Sequence, residues 1–388
     1  MSVQALWCER ALTPEREIER VRLCVEEGRI VALEESCDPQ WDDEIHRHGL
    51  LVPGLVDLQV NGGVGGAYDA SDPAEHVRAT AFHVQAGTTS LLATLVSAPL
   101  EHLTASLARL VSEVGPAGPL LGVHLEGPFL AEEKGGAHAR AALRDPTPEA
   151  VEALIEAGGS TLRMVTLAPE RRGALEAVER LAACGAIVAA GHTVARSARL
   201  REAIERGLSF VTHLGNASDW PGRVFDAERG YRVSEPGVVG SFLFERRLRG
   251  SLILDGHHLH PRLACALVEL RGPESLALVS DATPAAGLPP GRYRHGGLDV
   301  EVRADGIATS GEGLAGSTIP LVGALRVAVR QGGIPLGDAL RMATLTPAQI
   351  LGVSDRKGRI GVGADADLLV LDEALEVRAV YRAGARIV

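Results

Sequence analysis

The chain has 388 residues, enough for one large domain plus a smaller one, and 46% of them are hydrophobic. Its net charge is −11, and the acidic residues are spread along its length without a basic stripe, which argues against nucleic acid as a partner. The N-terminal MSVQALWCERALTPERE has no apolar signal core, no run approaches the ~18–20 apolar residues of a membrane helix, and the five cysteines are scattered without a CxxC spacing, as expected of reduced thiols in the cytoplasm.

Residues 1–50 read as short strands, with a hairpin turning at Glu27-Gly28. The first β-like run of the central region ends near Asp57–Asn61, and seven more end near Thr94–Ser97, His124–Glu126, Thr166–Ala168, Gly191-His192, Thr212-His213, Asp255–His258 and Ser280-Asp281. Helical stretches separate them, at about 73–86, 100–113, 147–157, 172–184, 197–207 and 261–271, with further helices from Pro320 and over 336–350. Strand and helix alternate eight times. That pattern predicts an α/β protein built on a closed (β/α)8 TIM-type barrel, with an aliphatic core because aromatics are only 3%. Two segments break the spacing: a long loop at 218–240, and residues 284–316, which hold a hairpin in LDVEVRADGIA. Ala366–Leu371 is again β-like, and 377–388 reads as a hairpin. Both chain ends are too short to fold alone. The predicted division is therefore a small β-sandwich shared by residues 1–52 and 358–388, around a barrel over 53–357.

Four strand ends carry the chemistry. HLEGP at 124–128, AGHT at 190–193, THLGNA at 212–217 and SDATPAAG at 280–287 offer Glu126, His192, His213 and Asp281. One carboxylate and two imidazoles on a barrel mouth are a ligand set for one divalent metal ion. Zn2+ suits it best, and Fe2+, Co2+ or Mn2+ also fit. Asp281, after the apolar run LALVS, is the expected general base. The first strand ends in DLQVNGG, with Gln59 and Asn61 where a D-x-H-x-H signature would place two histidines. Neutral amides are poor ligands for such a metal, so one ion is expected and the second-metal positions read as vacant. His138 lies in the Gly-rich loop EEKGGAHAR, and His257, His258 and His260 cluster in LDGHHLHP.

These strings resemble the amidohydrolase superfamily and, closely, its N-acetylglucosamine-6-phosphate deacetylase family. PGLVDLQVNGG, HLEGPFL, KGGAH, AGHT, THLGNA, EPGVVG, DGHHL, SDATPAAG, LAGS and GRIGVGADADLLVLD have counterparts there in the same order. The resemblance implies hydrolysis of the acetamide of an amino-sugar phosphate by a homodimer. It gives Glu126, His192 and His213 as metal ligands and Asp281 as the catalytic acid/base. It gives Ala137 and His138 as a substrate-contacting pair. Asn216, Ala217 and His258 correspond to phosphate and sugar contacts, and Leu314, Ala315 and Gly316 to a segment lining the sugar. The family string R-E-P-G, whose Arg reaches a neighbouring subunit's phosphate site, is here Ser234-Glu235-Pro236-Gly237. Serine cannot replace a guanidinium fork, which leaves Arg223, Arg229 or Arg232 of the preceding loop as candidate phosphate contacts. Three other readings remain: a deacetylase of a related or unphosphorylated N-acetyl amino sugar, a different N-acyl amidohydrolase, for which a carboxylated lysine bridging two metals is missing, and a non-catalytic binding relative, which the full ligand set argues against.

Overall fold

A computed structural model of the chain describes residues 4–115, 118–226, 229–311 and 313–388. Eight parallel strands form its centre: Leu55–Val60, Thr88–Val96, Leu120–Glu126, Leu162–Leu167, Ile187–Ala190, Leu208–Val211, Arg249–Ile253 and Leu276–Val279. Each pairs with the next in sequence. The first and last meet beyond their regular ends, where the Asp281 N–H donates to Gln59 O (2.9 Å) and the Asn61 N–H donates to Ala282 O (2.8 Å). The expected barrel is thus nearly closed. All nine residues of Thr88–Val96 and all six of Leu55–Val60 are buried, because side chains face either the barrel interior or the surrounding helices. Leu58, Leu92, Met164, Phe210 and Val279 belong to one cluster, against which Ala348 and Leu351 pack from the end of the chain's last helix.

The helices fall close to their predicted places, from Pro73–Gln85 to Pro261–Arg271 and Leu321–Arg330. Their starts follow simple capping chemistry. Asp72 and Thr147 accept N–H bonds from Ala74 and Ala150, each with proline in the first helical position. The stretch expected as one helix over 336–350 is two, Leu336–Ala343 and Leu345–Ile350, broken at Thr344 (φ −135°, ψ −83°). The 218–240 segment is not a loop throughout. It holds an antiparallel hairpin, Gly222–Asp226 with Tyr231–Glu235, followed by a helix, Gly237–Phe244. That helix escapes a periodicity reading because six of its eight residues are buried, so it has no polar face. The 284–316 segment extends the predicted hairpin into a four-stranded sheet of Gly291–His295, Leu298–Val302, Ala308–Ser310 and Gly313–Leu314.

Both chain ends build one seven-stranded sheet beside the barrel, in the order Ala385–Arg386, Val377–Arg382, Leu368–Leu371, Glu44–Pro53, Gln4–Leu12, Glu17–Glu26, Arg29–Glu34. Neighbours are antiparallel except Gln4–Leu12 with Glu44–Pro53. The ladder is continuous, and it curls until its far edge meets the return segment: the Ile30 N–H donates to Ala364 O at 2.9 Å. The two halves close over Leu23, Ile30, Leu51, Leu368 and Val370.

One buried base makes stability depend on pH. His83, on the first barrel helix, is fully buried and donates from Nε2 to Gly62 O (2.9 Å). Burial lowers its pKa to about 4. Between pH 6.5 and 4 the unfolded chain therefore takes up a proton that the folded chain refuses. The stabilisation is complete above 6.5 and is lost as pH falls toward 4, by about 3 kcal/mol. Denaturant titrations at pH 7, 5.5 and 4 should show His83→Gln losing less stability over this range than the wild type. Parallel losses would remove His83 as the cause.

Candidate metal centre and cavity

The cavity lies at the C-terminal ends of the barrel strands, where this architecture places its chemistry. It encloses about 380 Å³. Three of the strand-end residues leave the β region abruptly: His192 (φ 47°), His213 (φ 32°) and Asp281 (φ 48°) are all left-handed. Non-glycine residues adopt that conformation at a cost, and here it turns each side chain off its strand into the mouth.

Glu126, His192 and His213 come together as the sequence predicts. One ligand atom from each lies within 4.8 Å of the others, and all three residues are buried. Glu126 Oε1 is 2.8 Å from His213 Nε2 and 3.3 Å from His192 Nε2, and the two Nε2 atoms are 3.1 Å apart. The donor set fits a cation. His192 Nδ1 donates to Lys134 O at 2.7 Å, which fixes the proton on Nδ1 and leaves the Nε2 lone pair free. Burial alone would raise the Glu126 pKa, but the His192 and His213 imidazoles against it hold it well below the usual carboxylate range. It is therefore an anion.

Asp281 sits beside this cluster. Its Oδ1 accepts from Asn61 Nδ2 (2.8 Å) and from Gln59 Nε2 (3.1 Å), and Gln59 Nε2 also reaches Glu126 Oε1 (3.1 Å). The two amides that occupy the histidine positions of the first strand thus hold Asp281 in place. Burial first, then the Glu126 charge, raises the Asp281 pKa to about 6. That value suits a group that must both take and return a proton near neutrality.

His138 is buried at the other side of Glu126, with Nε2 3.7 Å from Oε2. The Ser97 backbone N–H donates to its Nδ1 (3.2 Å), so the ring proton is on Nε2 and faces the cluster. Burial, then the nearby His192, lowers its pKa to about 3. His138 is a neutral N–H donor. His258 donates from Nδ1 to Asp255 Oδ2 (2.8 Å), leaving Nε2 toward the cavity. Burial opposes the Asp255 charge, yet the His258 hydrogen bond brings its pKa down to about 2. Asn216 and Ala217 line the cavity, and Asn216 Nδ2 is a buried donor without a partner. Ala137, Leu314 and Gly316 also line it. Gly316 (φ 62°) must be glycine, since a Cβ would come within 2.8 Å of Asp281 O.

One expectation changes. Ala315 does not line the cavity: it is fully buried behind it, with Ala285, Val300, Val302 and Ala308, and its N–H donates to Ala308 O at 3.0 Å. Arg223, Arg229 and Arg232 do not line this chain's own cavity, and the site that the resemblance gives them is a neighbouring subunit's. They sit exposed on the Gly222–Asp226/Tyr231–Glu235 hairpin, where pairing turns their side chains to local acceptors. Arg223 and Arg232 donate to each other's carbonyl oxygens (3.2 Å each), and Arg229 faces Asp226. Three titratable lining residues were not anticipated: Glu133, Lys134 and His295. Glu133 precedes the KGGAH string and Lys134 opens it, and their position near the third strand end was the available signal. His295 comes from the inserted sheet and had none.

The amidohydrolase family profile matches residues 50–387. Among relatives, the N-acetylglucosamine-6-phosphate deacetylase of Bos taurus is 38% identical over 86% of this chain and 82% of its own. The N-acetylgalactosamine-6-phosphate deacetylase of Escherichia coli O157:H7 is 33% identical over 98% of both. Among solved structures, a mutant N-acetyl-D-glucosamine-6-phosphate deacetylase of Mycobacterium smegmatis, in complex with N-acetyl-D-glucosamine-6-phosphate, superposes with a TM-score of 0.92 at 37% identity over the whole of both chains. Barrel, ligand cluster and relatives agree: the chain belongs to the amidohydrolase family.

Proposed function

We propose that this protein hydrolyses the acetamide of N-acetylglucosamine 6-phosphate, giving glucosamine 6-phosphate and acetate in amino-sugar breakdown. The observation that carries the reading is the Glu126–His192–His213 cluster with a proton-carrying carboxylate, Asp281, beside it. The relatives' names supply the substrate. Glu126, His192 and His213 would hold one divalent ion, and two imidazoles with one carboxylate suit Zn2+. When bound, such an ion acidifies a water and polarises an amide carbonyl. Asp281, steadied by Gln59 and Asn61, accepts the proton of the attacking water. The His138 Nε2–H donates to the carbonyl oxygen as negative charge develops on it. As the C–N bond breaks, Asp281 returns its proton to the departing amine. Asn216, Ala217, His258, Leu314 and Gly316 form the sugar side of the cavity.

Five free cysteines suit the reducing cytoplasm. Among the described residues, no helix is long and apolar enough to cross a membrane. The exposed Phe225 and Tyr231 of the hairpin suit contact with a second copy in a homodimer. The functional division follows the two architectures, with residues 53–357 as the catalytic barrel and 1–52 with 358–388 as its companion sheet.

The test is acetate release by the Zn2+-loaded protein from N-acetylglucosamine 6-phosphate, from its galactosamine epimer and from unphosphorylated N-acetylglucosamine. The first should give kcat/KM of about 10⁴ M⁻¹ s⁻¹ or more. No acetate from any of the three by metal-replete protein would overturn the reading.

A further inference from the structure

A sugar 6-phosphate is a dianion near neutral pH and calls for converging donors. The hairpin does not supply them within this chain. Its three arginines are directed at their own hairpin, and the family Arg position is Ser234, exposed at the strand edge. The cavity does. Lys134 is the one lysine or arginine among its described lining residues. Its Nζ lies 2.7 Å from Asp219 Oδ1, with the lysine side chain 30% exposed. This ion pair ties the loop after the third strand to the loop after the sixth. Asn216, whose Nδ2 has no partner, is three residues before Asp219 on the same loop. His258, on the adjacent seventh strand's loop, has its Nε2 left over from the bond to Asp255. Lys134 and Asn216 thus bring N–H donors to the cavity that His258 also lines.

We propose that Lys134 is the cation that binds the substrate's 6-phosphate, taking the place of the arginine missing at Ser234. The proposal rests on the deacetylase reading above. An ammonium carries three N–H donors, so Lys134 keeps Asp219 on one and offers the others to phosphate oxygens. Asp219 is then a positioning residue: it holds a long, flexible side chain at the mouth before substrate arrives. The backbone of Lys134 already orients a ligand, since its carbonyl accepts from His192. One residue thereby sets the distance between the phosphate anchor and the metal cluster.

The experiment compares kcat/KM for N-acetylglucosamine 6-phosphate and N-acetylglucosamine in metal-loaded wild type, Lys134→Met and Lys134→Arg. In the Met variant, the ratio of the two values should fall about tenfold to a hundredfold, through KM rather than kcat. The Arg variant, which keeps the charge, should stay within about threefold of wild type. An unchanged ratio in Lys134→Met overturns the role of Lys134, as does a wild type indifferent to the phosphate. A wild type inactive on both sugars instead removes the deacetylase reading itself. The two failures are thus told apart.

Discussion

Asp281→Asn should lower kcat by about 10²–10⁴-fold while the protein keeps its metal. The substitution is nearly isosteric. Gln59 and Asn61 both donate to Oδ1, so an asparagine at 281 keeps its oxygen toward them and turns its amide toward the water. An amide neither takes the water's proton nor returns one to the amine, and both halves of the reaction suffer. Asp281 is outside the ligand cluster, so metal content measured by atomic spectroscopy should match wild type. Turnover within tenfold of wild type would remove Asp281 as the proton carrier. Equal loss of metal would recast it as a ligand.

Glu126→Gln should abolish tight metal binding and, with it, activity by a factor of about 10³ or more. The change removes the one carboxylate of the cluster and leaves two imidazoles. Its fold should persist, because an amide still reaches His213 and Gln59. A second readout is independent of turnover. Zn2+ at a thousandfold over its dissociation constant stabilises a native binder by about 4 kcal/mol. The wild-type melting temperature should therefore rise when Zn2+ is added to metal-stripped protein, and that of Glu126→Gln should not. A variant that still shifts with Zn2+ would show that the ion binds elsewhere.

The sequence made the metal cluster legible because each ligand ends an apolar run at a Gly, Pro or Thr break, and a parallel barrel has one face where such ends meet. It did not make the left-handed turns at His192, His213 and Asp281 legible, since backbone angles at these residues depend on the barrel closing around them. Gln59 and Asn61 were readable as missing ligands. Their positive role was not, because it needs the fold to bring together Asn61 and Asp281, 220 positions apart in sequence. The local pairing of the hairpin arginines was not legible for a related reason. The sequence offers them as cations near the missing Arg, and only cross-strand register brings Arg223 and Arg232 to each other's backbone. Ala315 sits in a segment that does reach the cavity, but it lies just past the short strand Gly313–Leu314 and packs with Ala285, Val300, Val302 and Ala308 while Leu314 and Gly316 line the space.

The sheet built from both chain ends also orders events during synthesis. Glu44–Pro53 runs through Gly54 into the first barrel strand, and one of its edges is covered only by Leu368–Leu371. Tyr381 reaches back to His46 across 335 residues. At about 5–20 residues per second, a growing chain waits on the order of tens of seconds for that partner to leave the ribosome. Through that interval Leu51 and Val52 stand on an open strand edge, the kind of surface on which chains pair with the wrong neighbour. The last residues translated are thus the ones that retire the earliest hazard.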